Sequence, residues 1–139
     1  MSVQFLSSNY ISTTRWNKTI SDSVFPLTYA YSWYLNAVCD SWGAVLTDDY
    51  SVVIPLPLKM KFNQQHVFLP PFIPKLDLFY EKVPSTSTIE MLFNEIANNV
   101  ASVNYTLNKY SDYNKEKIST QKVYYSLDLF NSYDKIYDR

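Results

Sequence analysis

Three residue types are almost missing from this 139-residue chain: it has one Gly, one Cys and one His. A lone Gly cannot build the Gly-rich turns of a dinucleotide fingerprint or a phosphate loop, which need several residues without a side chain. A lone His rules out paired-His zinc motifs, and a lone Cys rules out an internal disulfide or a cysteine zinc site. Charge of one sign is missing too. Twelve Lys and Arg meet thirteen Asp and Glu, a net charge of −1, so the clustered cations that displace counterions from nucleic acid are absent. Lys59 and Lys61, and the group Lys115, Lys117 and Lys122, have Asp48, Asp49, Asp112 and Glu116 near them in sequence. These read as a mixed, solvated surface. No uninterrupted apolar run approaches the roughly 18 residues of a membrane span. No membrane and no nucleic acid is therefore expected among the partners, and no metal or other cofactor. The start, Met1-Ser2-Val3-Gln4-Phe5, lacks a basic leader before an apolar core. With an unpaired Cys39, this gives the expectation of a cytoplasmic chain.

What is plentiful is aromatic: 13 Tyr, 8 Phe and 3 Trp. An apolar fraction of 47% is that of a folded domain. A chain this long makes one domain that buries roughly two thirds of its unfolded surface. The periodicities predict a mixed chain, α/β in the α+β sense. Residues 3–7 read as a strand. Residues 13–22 read as a helix capped by Ser12, with Trp16 and Ile20 one turn apart. After Pro26, Thr28 is placed to cap a helix over 29–39, with Tyr31, Tyr34, Leu35 and Val38 at i, i+3, i+4, i+7. Trp33 and Ala37 add a second apolar face, which predicts burial against more than one neighbour.

A β section follows. Trp42 to Leu46 is a short apolar strand, and Asp48-Asp49 a tight turn. From Tyr50 to Leu58 the alternation has period two, with Tyr50, Val52, Ile54, Leu56 and Leu58 on one face and Ser51, Val53, Pro55 and Pro57 on the other. Pro55 and Pro57 remove two amide donors from the same lateral side, so the strand lies there at an edge, a bulge or a splayed gap. Asn63-Gln64 reads as a reversal, Val67 to Leu69 as a strand stopped by Pro70-Pro71, and Leu76 to Tyr80 as extended. A helix over 87–99 opens on a Ser87/Glu90 capping box behind Pro84 and carries Ile89, Leu92, Phe93, Ile96 and Val100 on one stripe. Residues 101–107 form a strand with Val103, Tyr105 and Leu107 inward. A polar stretch, 108–119, precedes a last strand from Lys122 to Leu129. Ser132 caps a short terminal helix with Tyr133, Ile136 and Tyr137 on its face; a helix of two turns is marginal alone, which gives the expectation that a further domain follows Arg139. Short turns make the consecutive strands an antiparallel meander, and the helix at 87–99 is long enough to return the next strand parallel to a neighbour.

This order of elements, with the segments Tyr29-Ala30-Tyr31-Ser32-Trp33-Tyr34-Leu35, Val53-Ile54-Pro55-Leu56-Pro57-Leu58 and Leu69-Pro70-Pro71-Phe72, resembles the acetyltransferase-type fold of the GNAT superfamily. It looks like an uncharacterised group of such proteins seen mainly in Bacteroidetes, distantly similar to the Fem-type aminoacyl transferases, which join two such domains. The likeness runs over residues 3–137 and corresponds to the N-terminal half. It implies a mostly antiparallel twisted sheet flanked by helices, transfer of an acyl or aminoacyl group to an amine, and a C-terminal domain as partner; the partner under the assembly-module reading below is a second copy. In acyl-CoA-binding members a Gly-rich turn before the central helix holds the pyrophosphate on bare amides. Here that position reads Tyr80-Glu81-Lys82-Val83-Pro84-Ser85-Thr86, without Gly, with one donor deleted at Pro84 and a repelling charge at Glu81. Acyl-CoA binding by the usual route is therefore not expected, and no residue is named catalytic.

The candidates for a substrate cleft are Tyr31, Trp33 and Tyr34 on the aromatic helix, with Pro55, Pro57, Pro70 and Pro71 at the donor-poor strands. Each has a plainer reading, as core aromatics or strand ends. Cys39 with His66 as nucleophile and base, and Asp48-Asp49 as paired acids, read more simply as a buried thiol and a solvated turn. Two other readings stay open: a binding or assembly module that dimerises through its aromatic surface, and a complete acetyltransferase with an unusual cofactor loop.

Overall fold

A computed structural model of the protein describes residues 1–106. The readings that fall on Leu107, 108–119, Lys122–Leu129 and the helix after Ser132 lie outside the described residues. The strands are β1 (Val3–Ser7), β2 (Ser41–Thr47), β3 (Val52–Lys61), β4 (Gln64–Phe68), β5 (Phe79–Tyr80) and β6 (Ser102–Asn104). The α-helices are α1 (Thr13–Asp22), α2 (Ser32–Val38) and α3 (Thr86–Asn99), with short 3-10 turns at Ser8–Tyr10 and Thr28–Ala30. The sheet order is β1-β2-β3-β4-β6, with β5 beside β3. All pairs are antiparallel except β4–β6, which is parallel. The fold is thus α+β with a mostly antiparallel sheet, as the periodicities predict, and α3 connects β5 to a strand parallel to β4.

The sheet carries a core on each side. On one, Trp16, Ile20, Ala30, Leu35, Trp42, Leu46 and Val53 are joined by Ile73 and Leu76. Trp16 is fully buried, stacks at a tilt on Trp42 (5.3 Å between centroids) and donates from Nε1 to the Ala30 carbonyl at 2.8 Å. On the other side Val45, Val52, Ile54, Leu56, Leu58 and Val67 meet Leu92 and Ile96 of α3. The alternation along β3 therefore assigns its faces correctly from Val52 to Leu58. Tyr50 is the exception. It sits in the Asp48-Asp49 turn with φ 61°, outside the strand, and its ring joins the α1 and α2 core instead of the α3 side. There its hydroxyl accepts from the Ser12 amide at 3.0 Å. The single glycine, Gly43 on β2, is demanded by a close approach: a Cβ there would lie 2.7 Å from the Leu6 carbonyl oxygen.

Other expectations shift for physical reasons. The helix expected over 29–39 is interrupted at Tyr31, which is extended (φ −64°, ψ 142°). Two long-range bonds from α1 hold the break: Asn17 Oδ1 takes the Ser32 amide at 2.9 Å, and Trp16 takes the Ala30 carbonyl. The second apolar face of that helix is not covered, since Trp33 is 58% exposed and Ala37 is also exposed. Helix α3 is capped by Ser85, whose Oγ accepts from the Thr88 amide at 3.2 Å, and not by Ser87; Ser87 Oγ bonds Ser85 Oγ at 2.9 Å. Ser12 stands at the N-cap of α1 without a side-chain bond. Val103 is 52% exposed rather than inward, because α3 lies over β1 and β2 and leaves the β6 margin uncovered among the described residues.

Candidate functional site

The site begins with two prolines that cannot donate. Pro57 and Pro55 pair with Trp42 and Ala44 of β2 without breaking that ladder, so their missing N–H groups face the other side of β3, where β4 and β5 lie. On that side β4 pairs from Lys61↔Gln64 to Leu58↔Val67. Extended in register, the ladder would set Pro55 against Pro70, two residues without an N–H at a position that needs one from each. The ladder stops short of them. When it resumes, Val53 faces Phe79 rather than Phe72, so seven residues are looped out. Strands β4 and β5 lie on the same side of β3 as two segments separated by an excursion over 69–78.

Pro55 and Pro57 are both buried. A buried N–H at residue 55 would be an orphan in the split, and proline has none to orphan. The carbonyl that remains is satisfied by a side chain: Tyr105 Oη, fifty residues on, donates to the Pro55 oxygen at 2.8 Å. Burial pushes the Tyr105 phenol well above the usual tyrosine range, and the negative charge of Asp77 adds to this. Asp77 is 7% exposed, on the excursion, with Oδ1 accepting from the Leu78 amide at 2.7 Å. The excursion is folded. The Ile73 amide bonds the Pro70 carbonyl at 3.0 Å, Ile73 and Leu76 are buried, and the Leu76 amide bonds the Thr106 carbonyl at 2.9 Å.

The aromatic helix meets this excursion at its rim. Tyr34 Oη donates to the Phe72 carbonyl at 2.7 Å. Its ring stands edge-on to Tyr29 (5.5 Å) and Trp33 (5.7 Å), and Trp33 stacks with Tyr31 at 6.3 Å. Tyr31 and Tyr34 are half-buried against the core, while Trp33 and Phe72 (71% exposed) face outward. Pro70 is buried and Pro71 exposed. Of the residues expected to form a cleft, Tyr34 is thus tied to the Pro70–Ile73 turn and Pro55 to Tyr105. Trp33 lies on the surface beside them. Tyr105, Asp77 and Phe72 are the additions. Tyr105 reads in the sequence as one more inward strand residue, and its hydroxyl partner is a backbone atom that no motif announces.

The other candidates have structural partners of their own. The Cys39 thiol is pushed up to about 11 by burial and then by Asp40, which leaves little thiolate at neutral pH. His66 is on β4 and engages Ser102 Oγ through Nδ1 at 2.7 Å. Asp49 is a turn staple: its Oδ1 accepts from the Ser51 amide at 2.9 Å and the Thr47 hydroxyl at 2.7 Å. A depression of about 220 Å³ between α1 and this turn is lined by Arg15, Lys18, Asp22, Asp49 and Glu81 among others. Lys18 pairs with Asp22, and the Arg15 guanidinium lies 4.2 Å from the Tyr50 ring centre. Among the described residues no cluster of His, Cys, Asp and Glu is arranged to hold a metal ion, and no helix is long and apolar enough to cross a membrane. Compared with protein-family models, with curated proteins and with solved structures, the chain has no match.

Proposed function

We propose that this chain is a GNAT-like domain that shapes the acceptor side of an acyl or aminoacyl transfer to an amine and does not itself hold an acyl-CoA donor. The single observation that carries the reading is the interruption between β4 and β5 along β3. An antiparallel meander ends in a strand whose partner across a helix is parallel, and the meander opens at Pro55 next to that partner. In a sheet that splays, a ligand can lie between the separated strands. Here the interruption has Pro55 and Tyr105 joined by a hydrogen bond and Asp77 buried on the excursion, whose Phe72 carbonyl is held by Tyr34 beside Trp33. The missing donor site rests on the entry to α3. Ser85 Oγ already occupies the Thr88 amide, Pro84 offers no N–H, and Glu81 stands just ahead. An anion seeking the amides at that helix end meets a capped terminus and a carboxylate.

Calorimetry with acetyl-CoA, alongside Trp33 fluorescence titrated with short peptides that bear a primary amine, tests both halves. The reading expects no heat with acetyl-CoA and a saturable fluorescence change with the amines. Micromolar acetyl-CoA binding that perturbs residues 80–87 would refute it, as would silence with every amine.

One observation favours a second reading. Trp33 and Phe72 are large, exposed and linked through Tyr34, which suits an assembly module that pairs two copies through its aromatic face. Sedimentation decides: a dimer that dissociates in Trp33→Ala supports this reading over the first.

A further inference from the structure

The hairpin of β3 and β4 runs past the sheet that carries it. β2 begins at Ser41, opposite Leu58, so among the described residues Lys59, Met60 and Lys61 have no partner on the β2 side. Among these residues they pair only with His66, Gln65 and Gln64, and the parallel ladder with β6 starts at His66. At ~3.3 Å per residue, a two-stranded finger about 10 Å long projects from the sheet. Residues 59–64 are all exposed. Its apex is a two-residue turn with φ positive at both positions, 50° at Phe62 and 60° at Asn63. Turns of this kind take Asn, Asp or Gly, because a side chain with a bulky Cβ substituent is strained in the left-handed region. Phe62 stands there nonetheless, 97% exposed, with Met60 60% exposed beneath it. Neither the backbone nor the core gains from this choice, and strain of this sort persists where it serves contact with something outside.

Charge says what that something is. From Tyr50 to Leu76 the chain has no Asp or Glu, while Lys59, Lys61 and Lys75 fall within it. An apolar apex ring with Lys61 next to it in sequence and Lys59 behind, its Nζ over the Phe68 ring at 5.3 Å, fits the interface of an anionic bilayer, where the ring enters the headgroup region and each cation gains from the surface potential; Asp40, one register step past Ser41↔Leu58, is the acid level with Lys59. A protein partner fits less well, since lysine is depleted from the cores of protein interfaces. We propose that the Lys59–Gln65 finger is a reversible membrane-surface contact, with Phe62 and Met60 entering an anionic lipid surface and Lys59 and Lys61 facing its phosphates. Such contact needs no spanning segment, and among the described residues no helix is long and apolar enough to be one. It stands apart from the transfer reading, because the finger lies at the opposite end of β4 from the split.

Co-sedimentation of the whole chain with vesicles of phosphatidylcholine alone, and mixed with phosphatidylglycerol, provides the test. Binding is expected to the anionic vesicles only, to weaken with added salt, and to fall about tenfold or more in Phe62→Asn and in the double variant Lys59→Gln/Lys61→Gln. Because asparagine relieves the left-handed strain, Phe62→Asn should also raise the urea midpoint of the free protein. Four results overturn the proposal: no binding to anionic vesicles, equal binding to neutral ones, undiminished binding by Phe62→Asn, or a lower midpoint for that variant. A concentration-dependent dimer that Phe62→Asn dissolves, without vesicle binding, assigns the finger to a second copy instead.

Discussion

Removing one oxygen from Tyr105 isolates the role of its hydroxyl at the split. In Tyr105→Phe the ring stays and the Pro55 carbonyl loses its donor at 2.8 Å. That carbonyl is buried, and the interrupted ladder offers it no strand amide. An unpaired buried acceptor costs about 1–3 kcal/mol, so a loss of about 1–2 kcal/mol is expected after allowing for the phenol's own desolvation. With an m-value of roughly 1–3 kcal/mol/M in urea, the midpoint should fall by about 0.5–1 M. Tyr34→Phe is the internal control. It removes a hydroxyl that also donates to a carbonyl, at 2.7 Å, but that bond is exposed and water replaces it, so less than about 0.5 kcal/mol should be lost. A second signature is alkaline. Folding raises the Tyr105 phenol, by burial and then by Asp77, so the unfolded chain releases that proton first. Stability is then fully present below the ordinary tyrosine value of about 10 and is lost as pH rises from there through the folded value. Tyr105→Phe should lack this limb. Equal urea midpoints for the two variants would refute the claim that a side chain satisfies the split.

Gly43→Ala should destabilise by about 1–3 kcal/mol in urea unfolding, because its Cβ meets the Leu6 backbone oxygen at 2.7 Å and a strand backbone cannot step aside. Asp49→Ala should cost about 0.5–1 kcal/mol at neutral pH, discounted for the turn's exposure. The Ser51 amide and then the Thr47 hydroxyl hold the Asp49 carboxyl below its usual range, so its contribution is present above about pH 4 and disappears as pH falls through the lowered value; urea midpoints of both proteins should converge in acid. Cys39, pushed to about 11, should react with iodoacetamide near pH 8 on the order of a hundredfold more slowly than a free cysteine, the rate climbing towards pH 11.

What the sequence revealed divides along the range of the interactions. Helix α1 and its buried pair Trp16 and Ile20, the faces of β3, and the Leu92 and Ile96 stripe of α3 are set by local periodicity, which a single chain displays. The parallel return of β6 followed from the length of α3 alone. The break at Tyr31 was not legible, since it depends on Asn17 and Trp16 reaching across from α1. Tyr50 departed from its strand pattern because the turn before it needs a left-handed residue. The cap moved to Ser85 because two serines compete within one turn. At the site, Pro55 and Pro57 announced a gap on one side of β3. That Pro70 would have faced Pro55, that seven residues loop out, and that Tyr105 closes the carbonyl depend on register and on a contact fifty residues away, which no local pattern encodes.

Cross-strand proton contacts measured by NMR test the interruption between β4 and β5 most directly. In antiparallel pairs that are not hydrogen-bonded to each other, facing α-protons approach closely. Such contacts are expected for Leu58 with Val67 and for Val52 with Tyr80, and none between Leu56 and Leu69, which an unbroken register would set opposite each other. An α-proton contact between Leu56 and Leu69 would mean that β4 runs on past the prolines and that the split does not exist.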